Sequence, residues 1–162
     1  MINGSLDFGL KDKVAIVAGG GAVGQEIGNG RAASILLADA GVKVIVADKE
    51  EILAKNTVKM IQDRGGEAIS IGGDLTKSDQ CKKVVDFAIS RWGRLDILDN
   101  NIGVASKLSV VDETEENWNQ VMDINLKPMF LMSKYAIPEM INSGNGGSIV
   151  NISSISATRP KG

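Results

Sequence analysis

The stretch VAIVAGGGAVGQEIGNGR, residues 14–31, runs from a short β-rich apolar segment into glycines at 19, 20, 21, 24, 28 and 30. A strand that empties through glycines into a helix is where an open α/β sheet receives a phosphate. Free backbone N–H groups and the helix dipole both favour an anion there, and a missing Cβ lets it approach. Two registers are compatible with the glycines. In one, Gly19 closes the strand and Gly28, Asn29 and Gly30 open the helix; in the other, Gly19, Gly21 and Gly24 form G-x-G-x-x-G. The first predicts helix onset near Gly28, the second near Ala22.

An acidic residue at the end of the second strand, roughly 20 residues beyond such a motif, accepts the hydroxyls of an adenosine ribose. Asp48, in VIVADK, stands 20 residues after Gly28 and 24 after Gly24. That spacing favours the first register, with Gly19, Gly28 and Gly30 as the functional set and Gly20, Gly21 and Gly24 giving a lengthened loop its freedom. Asp48 would also repel a 2′-phosphate, so it points to NAD over NADP, an inference that neighbouring Lys49 weakens without reversing.

Outward from this stretch, β-rich runs alternate with helical ones. VAIVA (14–18), VKVIVA (42–47), EAISI (67–71), LDIL (95–98) and SIVNI (148–152) read as five strands. Ala54, Val58 and Ile61 keep helical spacing, as do Cys81, Val84, Val85, Ala88 and Trp92, with Ser78 expected as N-cap. Gly41, Gly65 with Gly66, and Gly93 follow the periodic stretches, where a left-handed residue ends a helix. Right-handed βαβ crossovers then put a parallel sheet between two helical layers, a Rossmann-like doubly wound α/β fold in one domain spanning 1–162. The longest helical stretch, 113–141, contains Pro128, which cannot donate to the carbonyl of Ile124, so a kink is expected near Ile124 and Asn125.

The chain has 162 residues, 43% hydrophobic, with a net charge of −2 and no basic stripe. One substantial core is feasible, and nucleic acid or an anionic membrane is not the expected partner. With no histidine, imidazole-based triads and most zinc sites lose their central residue, and no metal site is expected. The single cysteine, Cys81, permits no internal disulfide. No charged-then-apolar leader or run of transmembrane length is visible, so a cytoplasmic setting is expected.

Further segments sharpen the reading: DLT at 74–76, NNIG at 100–103 and IVNISS at 149–154 follow strands three, four and five. With the glycine loop, they resemble the short-chain dehydrogenase/reductase family, whose members carry T-G-x-x-x-G-x-G, an acid after strand three, N-N-A-G and an N-x-S-S-type segment in this order. Relative to that pattern, Ala18 replaces the threonine, Ile102 replaces the alanine, and eight residues separate Gly19 from Gly28 where the family has three. The resemblance implies that Asp74 bonds the adenine amine with the Leu75 backbone beside it, and that Asn101 to Gly103 lie under the adenosine ribose. It further implies Asn125 as the catalytic asparagine, in a disturbed helix whose free carbonyl can hold a water in a proton relay, and Ser154 as the serine orienting the substrate oxygen.

The implied activity is hydride transfer between nicotinamide and a small alcohol or carbonyl substrate. In that chemistry a tyrosine moves the proton, and a lysine four residues later favours its phenolate. Family spacing would put this pair beyond Gly162, which implies a chain cut in the loop after strand five, with the later strands missing and strand five left as an unpaired edge. Tyr135 is no substitute. Glu139 stands four residues on, and Lys134 points to a different face, so Tyr135 is expected to pack or to line an interface. The expectation for the isolated chain is cofactor binding without turnover. The alternatives are a non-catalytic dinucleotide-binding or interaction module and, with less support, an S-adenosylmethionine-dependent methyltransferase. The resemblance also implies possible homo-oligomer contact through 113–141.

Overall fold

A computed structural model describes residues 9–24, 26–144, 146–157 and 159. Five parallel strands form one sheet in the order β3-β2-β1-β4-β5. They are β1 (Val14–Ala18), β2 (Lys43–Asp48), β3 (Ala68–Gly72), β4 (Ile97–Asn100) and β5 (Ser148–Asn151). The helices between them are α1 (Asn29–Asp39), α2 (Glu51–Gln62), α3 (Ser78–Trp92), α4 (Glu115–Asn125) and α5 (Lys127–Asn142), and a 3-10 turn (Ile155–Ala157) follows β5. All five expected strands are present. The largest displacement is at β4, which starts two residues later than expected and carries Asp99 and Asn100 inside the sheet.

The residues of β1 and the central residues 44–47 of β2 are apolar without alternation because both faces of these strands are covered. Ile16, Ala18, Ile45 and Leu98 join Cys81, Val84, Val85 and Ala88 of α3 and Leu131, Met132 and Ala136 of α5 in one core. Ala15, Val17, Val44 and Val46 join Ala38 of α1 and Ala54, Val58 and Ile61 of α2 in the other. Each fully buried Ile, Leu or Val side chain contributes about 1.5–3 kcal/mol, so the two layers hold the central strands rigidly. Ile16 pairs with Ile45 on one side and Leu98 on the other, which fixes β1 at the centre. Among the described residues β5 pairs with β4 alone, and Val150 is 45% exposed.

Gly41, Gly65 and Gly93 have φ of 85°, 84° and 73°, so helices α1 to α3 stop as expected at left-handed glycines. The expected N-cap of α3 is corrected. Ser78 is the first helical residue after Lys77, and its hydroxyl bonds the Tyr135 hydroxyl at 2.6 Å instead of a helix N–H. That bond ties α3 to α5 and gives Tyr135 a packing role. Lys134 does not point clear of it, since its ammonium lies 5.7 Å from the ring centroid. The stretch 113–141 is two helices rather than one kinked helix. Thr114 caps α4 by accepting the Asn117 N–H at 3.1 Å, and the chain breaks at Leu126 because Pro128 occupies the first turn of α5. Pro128 fits an N-terminal turn without strain, so the break costs less than a proline-disrupted helix would.

Candidate nucleotide-binding and catalytic site

Because the strands are parallel, their carboxyl ends share one edge of the sheet. The expected site residues fall there in strand order: Asp74 after β3, Asp48 ending β2, Gly19 after β1, Asn101 after β4 and Ser154 after β5. At β1 the chain turns to opposite faces, with α1 covering one and α3 and α5 the other. That reversal opens a crevice beyond β1 and β4, the position where open α/β sheets take their ligands.

Helix α1 begins at Asn29 with Gly28 as its N-cap, the onset that the Gly19, Gly28, Gly30 register requires. Its first turn has no acidic residue and, among the described residues, no side-chain cap, so these leave the orphan N–H groups and positive dipole end uncompensated. A Cβ on Gly28 would meet only the Ala22 Cβ at 3.7 Å, and a Cβ on Gly103 would meet nothing within 4 Å. Open space beside a bare helix N-terminus fits a phosphate. Gly30 serves a different purpose. A Cβ there would overlap the Gly19 carbonyl oxygen, so this glycine lets α1 sit against the end of β1. Gly19 itself has φ of 83° and lies against the Asn101–Ile102 backbone, where a Cβ would be 3.0 Å away.

The loop glycines do not all supply freedom, which corrects the expectation for Gly20 and Gly21. A Cβ on Gly20 would lie 2.6 Å from Val46, and one on Gly21 would lie 2.6 Å from Asp48 Oδ2. Both are glycines of close packing; of these three, only Gly24 takes a positive φ, 58°, in open space. Asp48 Oδ2 accepts the Gly21 N–H at 2.9 Å and Oδ1 accepts the Glu50 N–H at 3.0 Å. Each carboxylate oxygen keeps a further lone pair, so the residue remains suited to ribose hydroxyls while it anchors the loop.

Arg31, which the glycine pattern did not single out, lies fully buried beneath the lengthened loop. Its guanidinium donates to the carbonyls of Ala22 (2.6 Å), Gly24 (3.0 Å) and Glu26 (2.6 Å), and its Nε donates to Thr57 Oγ1 at 3.1 Å. The Thr57 hydroxyl, also fully buried, bonds the Gly20 carbonyl at 2.9 Å. A single arginine in GRAAS carries no sequence signal for such a latch, because its acceptors are scattered backbone carbonyls.

Asp74 accepts from the Thr76 hydroxyl at 2.7 Å and the Thr76 N–H at 3.1 Å. The Thr76 hydroxyl, above all, lowers its pKa and keeps it an anionic acceptor. Leu75 is buried, and its carbonyl accepts the Cys81 thiol at 3.1 Å. Burial, reinforced by Asp74 and Asp79, pushes the Cys81 thiol up to about 11.

The Asn101 N–H donates to the Ala18 carbonyl at 2.8 Å, and its side chain donates to Asp99 Oδ2 at 2.9 Å. Asp99 is 7% exposed, its Oδ1 has no hydrogen-bond partner among the described residues, and burial raises its pKa. On the other face of β4, Asn100 donates to Asn151 Oδ1 of β5 at 2.8 Å. Polar side chains therefore tie β4, its exit loop and β5 together beside the crevice.

Asn125 stands at the break between α4 and α5, but its amide is engaged. Oδ1 accepts the Val104 N–H and Nδ2 donates to the Val104 carbonyl, each at 2.8 Å. The side chain thus clamps the loop after β4. Ser154 Oγ accepts the Ser156 N–H at 3.1 Å, which leaves the hydroxyl proton free to donate. Nearby, Leu108, Val110, Thr114, Trp118 and Ser156 line an open groove of about 710 Å³.

A sequence model of the family described as short chain dehydrogenase matches residues 13–161. An uncharacterized oxidoreductase of Thermotoga maritima is 39% identical over 90% of this chain and 55% of its own length. Among solved structures, a short-chain dehydrogenase/reductase from Burkholderia xenovorans superposes with a TM-score of 0.90 at 38% identity, over 94% of this chain and 58% of that one. A 7α-hydroxysteroid dehydrogenase complexed with NADH and 7-oxoglycochenodeoxycholic acid gives 0.84 at 34% identity, over 94% and 57%. The chain spans a little over half the length of the curated relatives it matches. The matched residues contain the glycine loop, Asp48, Asp74, the NNIG loop, Asn125 and Ser154 together, and the methyltransferase alternative falls away: this chain belongs to the short-chain dehydrogenase family.

Proposed function

We propose that the chain forms the cofactor-binding part of an NAD(P)-dependent oxidoreductase acting between a secondary alcohol and its ketone, with NAD preferred. One observation carries the reading: the bare N-terminus of α1 opens on space beside Gly28, at the sheet edge where Asp48 ends β2. Gly19, Gly28, Asn29 and Gly30 would hold the pyrophosphate, Asp48 the adenosine ribose, and Asp74 with Leu75 the adenine. Asn101 and Gly103 would form the floor of the crevice. The related hydroxysteroid dehydrogenase, solved with NADH and an oxo-steroid, supports both the cofactor and the substrate class.

The nicotinamide, when bound, supplies the hydride acceptor or donor. Ser154 would orient the substrate oxygen with its free hydroxyl proton, and the backbone at Asn125 would hold a relay water. The groove beside Trp118 and Ser156 would receive the substrate. Tyr135, the one tyrosine in the 162 residues, is bonded to Ser78 and followed four residues later by Glu139, so the proton-transfer pair is not supplied by it. The chain by itself therefore binds cofactor without turnover. A cytoplasmic setting remains part of the proposal; among the described residues no helix is long and apolar enough to cross a membrane. Self-association through α4 and α5 is proposed as well.

Calorimetry on the chain with NAD and NADP tests the reading. Micromolar NAD binding, about tenfold tighter than NADP, with no NADH formed from a secondary-alcohol panel, is the expected result. Tighter NADP binding overturns the preference, turnover well above background overturns the inactivity, and failure to bind either cofactor overturns the function.

A further inference from the structure

The lengthened loop needs something to hold it. Eight residues between Gly19 and Gly28 would sample many backbone conformations if left alone, and ordering each costs conformational entropy. The structure meets that cost with convergence: the carbonyls of Gly20, Ala22, Gly24 and Glu26, every second residue, turn inward onto two buried side chains, Arg31 and Thr57. Arg31 follows Gly30 in the first turn of α1, and Thr57 lies in the middle of α2. One guanidinium thus connects the loop to both helices of that layer.

We propose that Arg31, braced by Thr57, is a positioning residue that fixes the lengthened loop so that the α1 N-terminus is presented to the dinucleotide pyrophosphate; this rests on the cofactor reading above. Arginine suits the task because its planar fork reaches acceptors on separate sides at once, whereas a lysine ammonium concentrates its donors on one atom. Among the described residues no carboxylate pairs with Arg31, so its charge is solvated by carbonyl dipoles and remains close to the N-terminus of α1. Charge and geometry can be separated, since lysine keeps the first and loses the second.

The test compares the unsubstituted chain with Arg31→Lys, Thr57→Val and Thr57→Ser, reading NAD and adenosine affinity by calorimetry and amide exchange across residues 19–28. For Arg31→Lys, NAD binding should weaken by about tenfold or more, adenosine binding by clearly less, and loop amides should exchange about tenfold faster. Thr57→Val should move all three readouts the same way by less, and Thr57→Ser, which restores the hydroxyl, should bring them back. NAD affinity within about twofold of the parent for Arg31→Lys, or equal losses for NAD and adenosine, overturns the proposal. If Arg31→Lys does not fold, the Thr57 pair decides by the same criteria. If the unsubstituted chain binds no NAD, the cofactor reading has failed; loop exchange then still judges the latch, and unchanged exchange in the variants overturns it.

Discussion

Asp99 shows how one carboxyl can work against the sheet that contains it. It lies in β4 between Val17 and Val150, with one oxygen bonded to the Asn101 amide and the other without a partner among the described residues. Burial raises its pKa, so the folded state binds the proton more tightly than the unfolded one does. The sign follows directly: its contribution is fully favourable below the unfolded carboxyl value, near 3.9, and is lost as pH rises through the folded value. Asp99→Asn keeps an acceptor for Asn101 and removes the ionisation. It should have a higher urea midpoint than the parent at pH 7, with the two converging by pH 4. A lower midpoint at pH 7 would mean that the charge is compensated in the sheet. At this scale the sequence was a partial guide. Asp48 stood out by residue type and spacing, and Asp74 and Ser154 through the resemblance to the family, whereas Asp99, Arg31 and Thr57 acquire their importance only from neighbours distant in the chain.

Helix breaks also carry information about loops. Pro128 separates α4 from α5, and the separation leaves Asn125 at a helix end with its amide turned to Val104. The loop after β4 is thereby fastened to the end of α4 by a paired donor and acceptor. Asn125→Ala removes both bonds and should destabilise the chain by about 1–2 kcal/mol. Exchange at the Val104 amide should accelerate, and Asn125→Asp, which keeps the acceptor and loses the donor, should fall between. Unaltered Val104 exchange in the alanine variant would assign the ordering of that loop to other contacts. The elements themselves were readable because period and punctuation agreed: unbroken apolar runs for β1 and β2, glycine at three helix ends, and a spacing from Gly28 to Asp48 that anticipated where α1 begins. Exact helix starts were less readable. Ser78 has the right chemistry for a cap but is used by Tyr135, and Pro128 starts a helix as readily as it kinks one.

For the molecule as a whole, alternation of strand and helix implied a parallel sheet, and a parallel sheet gathers the ends of all its strands on one edge; that is why residues scattered from 19 to 154 reach one crevice. What alternation does not encode is which surface meets another copy. Trp118, Met122, Leu126, Phe130, Ile137 and Ile141 are between 40% and 67% exposed along α4 and α5, a large apolar surface for a monomer to leave in water. Sedimentation should therefore show a concentration-dependent dimer, and Phe130→Lys should shift it to monomer while leaving circular dichroism unchanged. A monomer at every concentration would assign the stripe another role. The buried thiol has a practical side. Cys81, the one cysteine, is fully buried, bonded to Leu75 and held protonated at neutral pH. The folded chain is in effect thiol-silent, so a cysteine introduced at an exposed position such as Val111 could carry a spin label or fluorophore without replacing the native one, and Cys81 itself would react only when α3 leaves the sheet.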